Sequence, residues 1–193
     1  YEMLRSLVGS EMCIRDSTPS IATENEVYSM NRLEGKVVII TGASGGLGKQ
    51  MALRFAQEGA KLAICARREK KLQETKDLCQ QAGAQVLAMV ADVSHHDELK
   101  AFVEKTAETF GTIDVLVNNA STISAPHPFL EHTINDLEEA LHSGLYGTWQ
   151  MMQLCFPYMK EHGGSIINFG SIGGVNGLEG FAAYAAEKEA IRG

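Results

Sequence analysis

Apolar residues after position 36 cluster in short continuous runs, which alternate with longer stretches where apolar and polar residues mix at helical spacing. The first run, 37–40, is β-branched throughout and precedes several glycines, which is typical of a strand buried on both faces. Comparable runs predict strands at 62–66, 85–90, 113–117 and 165–169, with helices over 50–57, 69–81, 95–110, 135–161 and from about 181. This alternation predicts one α/β domain, a Rossmann-like doubly wound parallel sheet with helices on both faces.

For two of the predicted helices, the sequence also predicts a local feature: a cap at the start of one and a bend or interruption in the other. Ser94 precedes the helix over 95–110 and is a good N-cap type, while Asp97 and Glu98 in the first turn suit the helix dipole. Pro157 lies inside the long helix over 135–161. Because proline lacks an N–H group, we expect it to bend or interrupt that helix.

The two ends of the chain do not fit this pattern. Residues 1–30 show neither helical nor strand periodicity, and the stretch 4–17 resembles a translated sequencing adapter. We therefore expect a non-native tail, with Met30 as the natural start; the alternative is a genuine disordered extension. The domain over 31–193 ends inside an apparent helix, which predicts that a C-terminal part with the last strands is missing.

Composition narrows the possible classes of function. The net charge is -7 and no basic run is present, so the sequence predicts no nucleic-acid partner. No apolar run approaches the roughly 18 residues that a membrane span requires, so no membrane partner is expected. The four cysteines form no CxxC pair and the six histidines are scattered. We therefore expect reduced thiols in a cytoplasmic protein and no metal site.

A glycine-rich turn, TGASGGLG at 41–48, follows the first predicted strand and opens the first helix. Gly42 allows a tight turn, while Gly46 and Gly48 let the backbone approach a pyrophosphate and let the helix pack on the strand. Amide groups at the start of the helix, together with its dipole, attract phosphate charge. We therefore predict a dinucleotide site that includes Gly42, Ser44, Gly46, Leu47 and Gly48.

The GxxxGxG spacing, with its preceding threonine, resembles the short-chain dehydrogenase/reductase family, and the resemblance covers 33–193. It implies that Asp92 and Val93, after the third strand, contact the adenine of the cofactor. It also implies that Asn119 and Ala120, after the fourth strand, border the cofactor. The family's Asn-Asn-Ala-Gly motif ends here in Ser121 instead of glycine.

Two arginines, Arg67 and Arg68, follow the second predicted strand, where an acid would bond a ribose 2'-hydroxyl and repel a 2'-phosphate. Arginine forms charge-assisted hydrogen bonds with phosphate. The pair therefore predicts NADP(H) in preference to NAD(H); the alternative is that both side chains only solvate a loop. Gly45 departs from this pattern, because relatives that prefer NADP often carry a basic residue there.

Ser171, at the end of the fifth strand, and Tyr184 and Lys188, in the final helix, form the candidate catalytic group. Tyr184 and Lys188 are four residues apart and share one helix face. A free tyrosine has a pKa of about 10, and a nearby ammonium favours the phenolate, so Lys188 would make Tyr184 a usable acid or base. Ser171 would donate to the substrate oxygen. The resemblance implies that Lys188 also bonds the nicotinamide ribose.

Family members usually place an asparagine in the long helix, where it helps a water molecule to join a proton relay, whereas this chain has Gly144. Three alternatives are open: backbone carbonyls alone hold the water, Ser143 substitutes for the amide, or the relay is slow. Under the first alternative, replacing Gly144 with Asn should raise turnover modestly.

Together these features predict an NADP(H)-dependent oxidoreductase that interconverts a carbonyl and a secondary alcohol in a small-molecule substrate. The alternatives are a dinucleotide-binding module with impaired catalysis, and an inert fragment of an active parent. The resemblance also implies a homo-oligomer, a dimer or tetramer, that assembles through long helices when the protein is full length.

Overall fold

The computed structural model describes residues 31–193, and the prediction of a non-native or disordered tail over 1–30 lies outside that range. Within 31–193 the chain forms a five-stranded parallel sheet with the strand order β3-β2-β1-β4-β5. Its strands are β1 (Val37–Thr41), β2 (Lys61–Ala66), β3 (Val86–Val90), β4 (Val115–Asn118) and β5 (Ser165–Asn168). The predicted fold class is thus confirmed.

Helices connect the strands and cover both faces of the sheet. Their bounds are α1 (Gly46–Gln57), α2 (Glu69–Gln81), α3 (His96–Phe110), α4 (Ile134–Leu141), α5 (Gly147–Met159), α6 (Ile172–Val175) and α7 (Ala182–Arg192). A 3-10 turn, Phe129–Glu131, precedes α4. The bounds predicted for α2 agree with the structure, whereas α1 begins earlier, at the glycine-rich turn.

Successive residues of β1 supply opposite faces of the sheet, because side chains alternate along a strand. Ile39 packs with residues of α3 and α5, while Val38 and Ile40 pack with residues of α1 and α2. All five β1 residues are buried. Burying side chains of this size stabilises a fold by about 1.5–3 kcal/mol each. Because β1 is also the middle strand of the sheet, its side chains form the centre of the core on both faces.

Two local predictions were wrong. Ser94 does not cap α3: His95 is the N-cap residue, and the Ser94 hydroxyl instead donates to Asp92 Oδ1 at 2.7 Å. The long helix is not interrupted at Pro157, which lies inside α5. It is instead interrupted by a π-helical segment, His142–Tyr146, between α4 and α5. Such segments often occur at functional sites.

The order of the strands determines where a ligand can bind. The chain leaves β1 toward β2 on one side and later returns to form β4 on the other, so β1 and β4 are neighbours with diverging connections. In open α/β sheets the crevice at the carboxyl ends of such strands receives the ligand. The glycine-rich turn after β1 lies at this position.

Replacing Phe102 with Ala should lower the free energy of unfolding by about 3–5 kcal/mol, because the side chain is fully buried between α3 and the sheet. Phe129, which is 75% exposed, is the matched control, and its replacement with Ala should change stability little. Urea denaturation of both variants measures the difference. Equal losses would contradict this description of the core.

Candidate active site

A cavity of about 540 Å³ opens at the carboxyl ends of β1 and β4. It brings together most of the predicted site residues, namely Gly42, Ser44, Gly46, Leu47, Arg67, Arg68, Asp92, Val93, Asn119, Ala120, Tyr184 and Lys188. Two predicted residues, Gly48 and Ser171, are not among the residues that line it. The volume lies in the range usual for small-molecule and cofactor sites.

The glycine-rich turn approaches the end of β4 too closely for side chains. A Cβ on Gly42 would lie 2.9 Å from the Ala120 Cα, and Gly42 has a φ of +70°, which favours glycine. A Cβ on Gly48 would lie 2.5 Å from the Gly42 carbonyl oxygen. The turn therefore packs backbone against backbone and leaves the start of α1, with its unpaired amides, at the cavity. This cradle fits a pyrophosphate group.

Two polar side chains join the ends of β1 and β4. The buried Thr41 hydroxyl accepts hydrogen bonds from the backbone N–H groups of Asn119 and Ala120, both at 3.1 Å. In return the Asn119 amide donates to the Thr41 carbonyl at 3.0 Å and to the Gly42 carbonyl at 3.3 Å. These contacts give Asn119 a structural role, because they hold the glycine-rich turn in place.

The two arginines take different partners at the rim. Arg68 donates to the Ser44 hydroxyl through Nε at 3.3 Å and Nη2 at 3.1 Å, whereas Arg67 forms a longer ion pair of 3.7 Å with Asp92. Burial alone would raise the pKa of Asp92, but hydrogen bonds from the Ser94 amide and hydroxyl, together with the Arg67 charge, lower it below its ordinary value. Asp92 is therefore an anion that restrains Arg67.

The candidate catalytic side chains lie in and beside the cavity. Lys188 is 4% exposed, its ammonium lies 5.5 Å from the centroid of the Tyr184 ring, and it donates to the Phe169 carbonyl at 3.1 Å. Ser171 is the N-cap of α6, where its hydroxyl oxygen accepts from the Gly173 N–H at 3.1 Å. Its own hydroxyl proton remains available for another acceptor.

Glu187 is a residue that the sequence motifs did not reveal. Its side chain is fully buried beside Lys188, with 3.1 Å between its Oε1 and the ammonium nitrogen, and its Oε2 accepts from the Ser121 hydroxyl at 3.0 Å. Oε1 has no well-aligned hydrogen-bond donor. Burial raises the pKa of Glu187 even though Lys188 and Ser121 act to lower it. The only signal in the sequence was an acidic residue directly before the candidate lysine.

The carboxyl group of Glu187 occupies the space that a side chain at position 144 would need. A Cβ on Gly144 would lie 1.7 Å from Glu187 Oε1. Glu187 is buried and has two partners, so moving it aside would break its contacts with Ser121 and Lys188. The expectation that Asn at position 144 raises turnover stays a prediction, and the structure adds that this Asn needs the space that Glu187 occupies. Ser143, the proposed substitute, donates to the Ala140 carbonyl and accepts from the Thr122 N–H.

Away from this cavity, three potential metal ligands of the described residues, His127, His132 and Asp136, have ligand atoms within 4.8 Å of one another. The sequence predicted no metal site, since its histidines are scattered. Asp136 is engaged in the capping box of α4, where it accepts from the Thr133 amide and hydroxyl. Its carboxylate thus already has an evident structural role.

A parallel sheet in this order, with a glycine-rich turn, a tyrosine and a lysine at one cavity, defines a Rossmann-like α/β domain. The model of the short chain dehydrogenase family matches residues 36–193. The chain belongs to the short-chain dehydrogenase/reductase family.

Among curated proteins, the chain is 40% identical over 171 residues to a 12alpha-hydroxysteroid dehydrogenase from a Clostridium species, covering 85% of this chain and 66% of that protein. It is 34% identical over 165 residues to the levodione reductase of Leifsonia aquatica, covering 84% and 62%. The chain thus spans about two thirds or less of the length of these relatives.

Solved structures agree with this assignment. A crystal structure of levodione reductase superposes with a TM-score of 0.80 at 33% identity, and the match covers 83% of this chain and 63% of that one. A crystal structure of NAD+-bound xylitol dehydrogenase also gives 0.80, at 30% identity, with 83% and 62% covered. In the part of the chain that the structure describes, no helix has the length and apolar character needed to cross a membrane.

Replacing Thr41 with Val should lower the free energy of unfolding, because it leaves the N–H groups of Asn119 and Ala120 without their buried acceptor. Each unsatisfied group costs about 1–3 kcal/mol. Replacement with Ser keeps the oxygen and is the matched control, so it should cost much less. Urea denaturation checks both variants, and a Val variant as stable as the Ser variant would contradict the role given to this hydroxyl.

Proposed function

We propose that this protein is an NADP(H)-dependent oxidoreductase that interconverts a carbonyl group and a secondary alcohol. The observation that carries the proposal is that Tyr184 and Lys188 line the same cavity as the glycine cradle. A phenol, an ammonium and a phosphate-binding turn around one space suit hydride transfer coupled to proton transfer. The names of the relatives, which are dehydrogenases and reductases, support this reaction class.

The cradle around Gly42 and Gly48 would hold the pyrophosphate, and Asp92 and Val93 would border the adenine. When bound, the cofactor supplies or accepts a hydride at the substrate carbon. In carbonyl reduction Tyr184 donates its phenolic proton to the substrate oxygen, and in alcohol oxidation it takes that proton back. Lys188 stabilises the phenolate through its charge, and Ser171 donates a hydrogen bond that orients the substrate oxygen.

The preference for NADP(H) rests on Arg68. Its guanidinium lies over Gly45, since a Cβ at that position would be 3.2 Å from Nη2. Arg68 thus reaches the space where a basic side chain at position 45 would begin. Its positive charge can therefore replace the one that Gly45 lacks. A guanidinium beside the Ser44 hydroxyl can bind a 2'-phosphate through charge-assisted hydrogen bonds.

The exposed apolar residues suggest how copies of the protein assemble. Trp149 and Phe156 are each 58% exposed and lie two helical turns apart on α5. This face can bury itself against a second copy, so we infer a homo-oligomer for the complete protein. Its thiols at Cys65, Cys79 and Cys155 are free and buried, which fits a reducing compartment such as the cytoplasm.

Replacing Arg68 with Ala should weaken NADPH binding at least tenfold and change NADH binding less than twofold, because only NADPH carries the 2'-phosphate. The control is Lys100 to Ala on α3, which removes the same charge from an exposed ion pair with Glu104. Fluorescence titration of both nucleotides measures the dissociation constants. Equal affinity of the unaltered protein for NADH and NADPH would overturn the preference.

Replacing Tyr184 with Phe in the complete protein should lower the turnover number for a panel of ketones and secondary alcohols by about 100-fold or more, because it removes the acid-base group. NADPH affinity should stay within a few-fold of the original value. Steady-state assays that follow NADPH absorbance check this. Full activity in the Phe variant would contradict the mechanism, while tight NADPH binding without turnover in the unaltered protein would favour the binding-module alternative.

A further inference from the structure

Two positions where the chain departs from its family's pattern meet at one buried carboxyl group. Ser121 stands where the motif after β4 has glycine, and Gly144 stands where the long helix has asparagine. The Ser121 hydroxyl donates to Glu187, and the space beside Gly144 receives the end of the Glu187 side chain. Both departures are therefore explained by a single feature, the carboxyl group behind Lys188.

We propose that Glu187 is a proton-carrying positioning residue, and that Ser121, Glu187 and Lys188 form the path by which Tyr184 recovers its proton. The path replaces one that would depend on a helix asparagine and a water molecule. The inference rests on the proposed function, because it concerns the acid-base chemistry of Tyr184. Glu187 acts through Lys188 and not on the substrate.

The path is continuous from the cavity to the catalytic lysine. Ser121 lines the cavity, so its hydroxyl can exchange a proton with water there. Its Oγ is 3.0 Å from Glu187 Oε2, and Glu187 Oε1 is 3.1 Å from the Lys188 nitrogen. Lys188 in turn lies over the Tyr184 ring, 5.5 Å from its centroid. The hydroxyl and the carboxyl group can both give and accept a proton, and Lys188 can accept one once it has given its own to the phenolate.

Lys188 is the charged group that contacts Glu187 among residues 31–193. On the packed π-helical segment, His142 and Tyr146 contact each other edge to face. On α4, Asp136 caps the helix and Glu139 accepts from Asn135, while Glu138 lines a surface hollow that adjoins the cavity. On α7 itself, Glu189 pairs with Arg192.

A fully buried carboxyl group with one cationic neighbour, such as Glu187, is suited to carry a proton at rest, because one of its oxygens lacks an aligned donor.

The steps balance without any redox change in the protein. In carbonyl reduction Tyr184 gives its proton to the substrate oxygen and becomes a phenolate. Lys188 gives a proton to the phenolate, and the protonated Glu187 then gives its proton to the Lys188 amine and becomes a carboxylate. The Ser121 hydroxyl passes its proton to Glu187 and takes one from a water molecule. One solvent proton is consumed for each carbonyl reduced, and alcohol oxidation runs the same steps in reverse.

The main test is the variant Glu187→Gln in the complete protein, because the amide keeps the size of the side chain but cannot carry the proton. The turnover number for carbonyl reduction should fall about tenfold or more, while the NADPH dissociation constant and melting temperature change little. Glu104→Gln on α3, an exposed carboxylate paired with Lys100, is the control and should leave both unchanged. Ser121→Ala should lower the turnover number several-fold. A Gln variant within twofold of the original turnover would overturn the proposal.

The space at Gly144 gives a second test. Gly144→Asn alone should lower turnover, because its side chain collides with Glu187. The double variant Gly144→Asn with Glu187→Ala should recover part of the loss, since it makes room and brings back an amide to hold water. If the turnover number of the double variant were no higher than that of either single variant, the idea that Glu187 replaces the asparagine and its water molecule would be contradicted.

A third measurement does not require turnover and uses the 193-residue chain itself. The infrared difference spectrum of the original chain minus Glu187→Gln, at neutral pH, should contain the C=O stretching band of a protonated carboxyl that shifts in heavy water. Absence of that band would overturn the proposal. If the band is present while Tyr184→Phe leaves turnover intact, the proposed reaction fails and the protonated Glu187 stands, so the two failures are distinguishable.

Discussion

The contact between the end of β1 and the end of β4 is the constraint on which the rest of this structure depends. Thr41 and Asn119 join the two strands through hydrogen bonds between side chains and backbone. These bonds bring the glycine-rich turn against Ala120 at a distance that excludes side chains. β1 is buried on both faces, and the cavity lies at the carboxyl ends of β1 and β4, where their connections diverge.

The buried carboxyl group of Glu187 lowers the stability of the fold unless its partners compensate for its burial. A buried carboxyl group costs free energy unless it is paired or protonated, and here it is held by one cation and one hydroxyl. The chain accommodates it with a glycine in a π-helical segment, a combination that gives up helical stability at a position facing α7. Ser121, Gly144 and Glu187 are thus linked in space, although they lie far apart along the chain.

Much of the fold was predictable because its signals are local. The run Val37–Ile40, the spacing of the glycines and the alternation of strands and helices depend on neighbouring residues, and the structure has all of them. The local predictions failed where a contact that the sequence pattern does not reveal determines the structure. Ser94 has the chemistry of a helix cap, but its hydroxyl bonds to Asp92, and the long helix changes its hydrogen-bonding pattern at Gly144 and continues through Pro157.

By itself the sequence determined the fold class, the family and most of the residues gathered at the cavity, because these follow from periodicity and from motifs of adjacent residues. Only the tertiary structure decided that Arg68 reaches over Gly45 and that Glu187 fills the place left by Gly144. Each pair is distant in the chain and carries no common motif. The members of each pair become neighbours only when α1 packs against α2 and α7 packs against the π-helical segment.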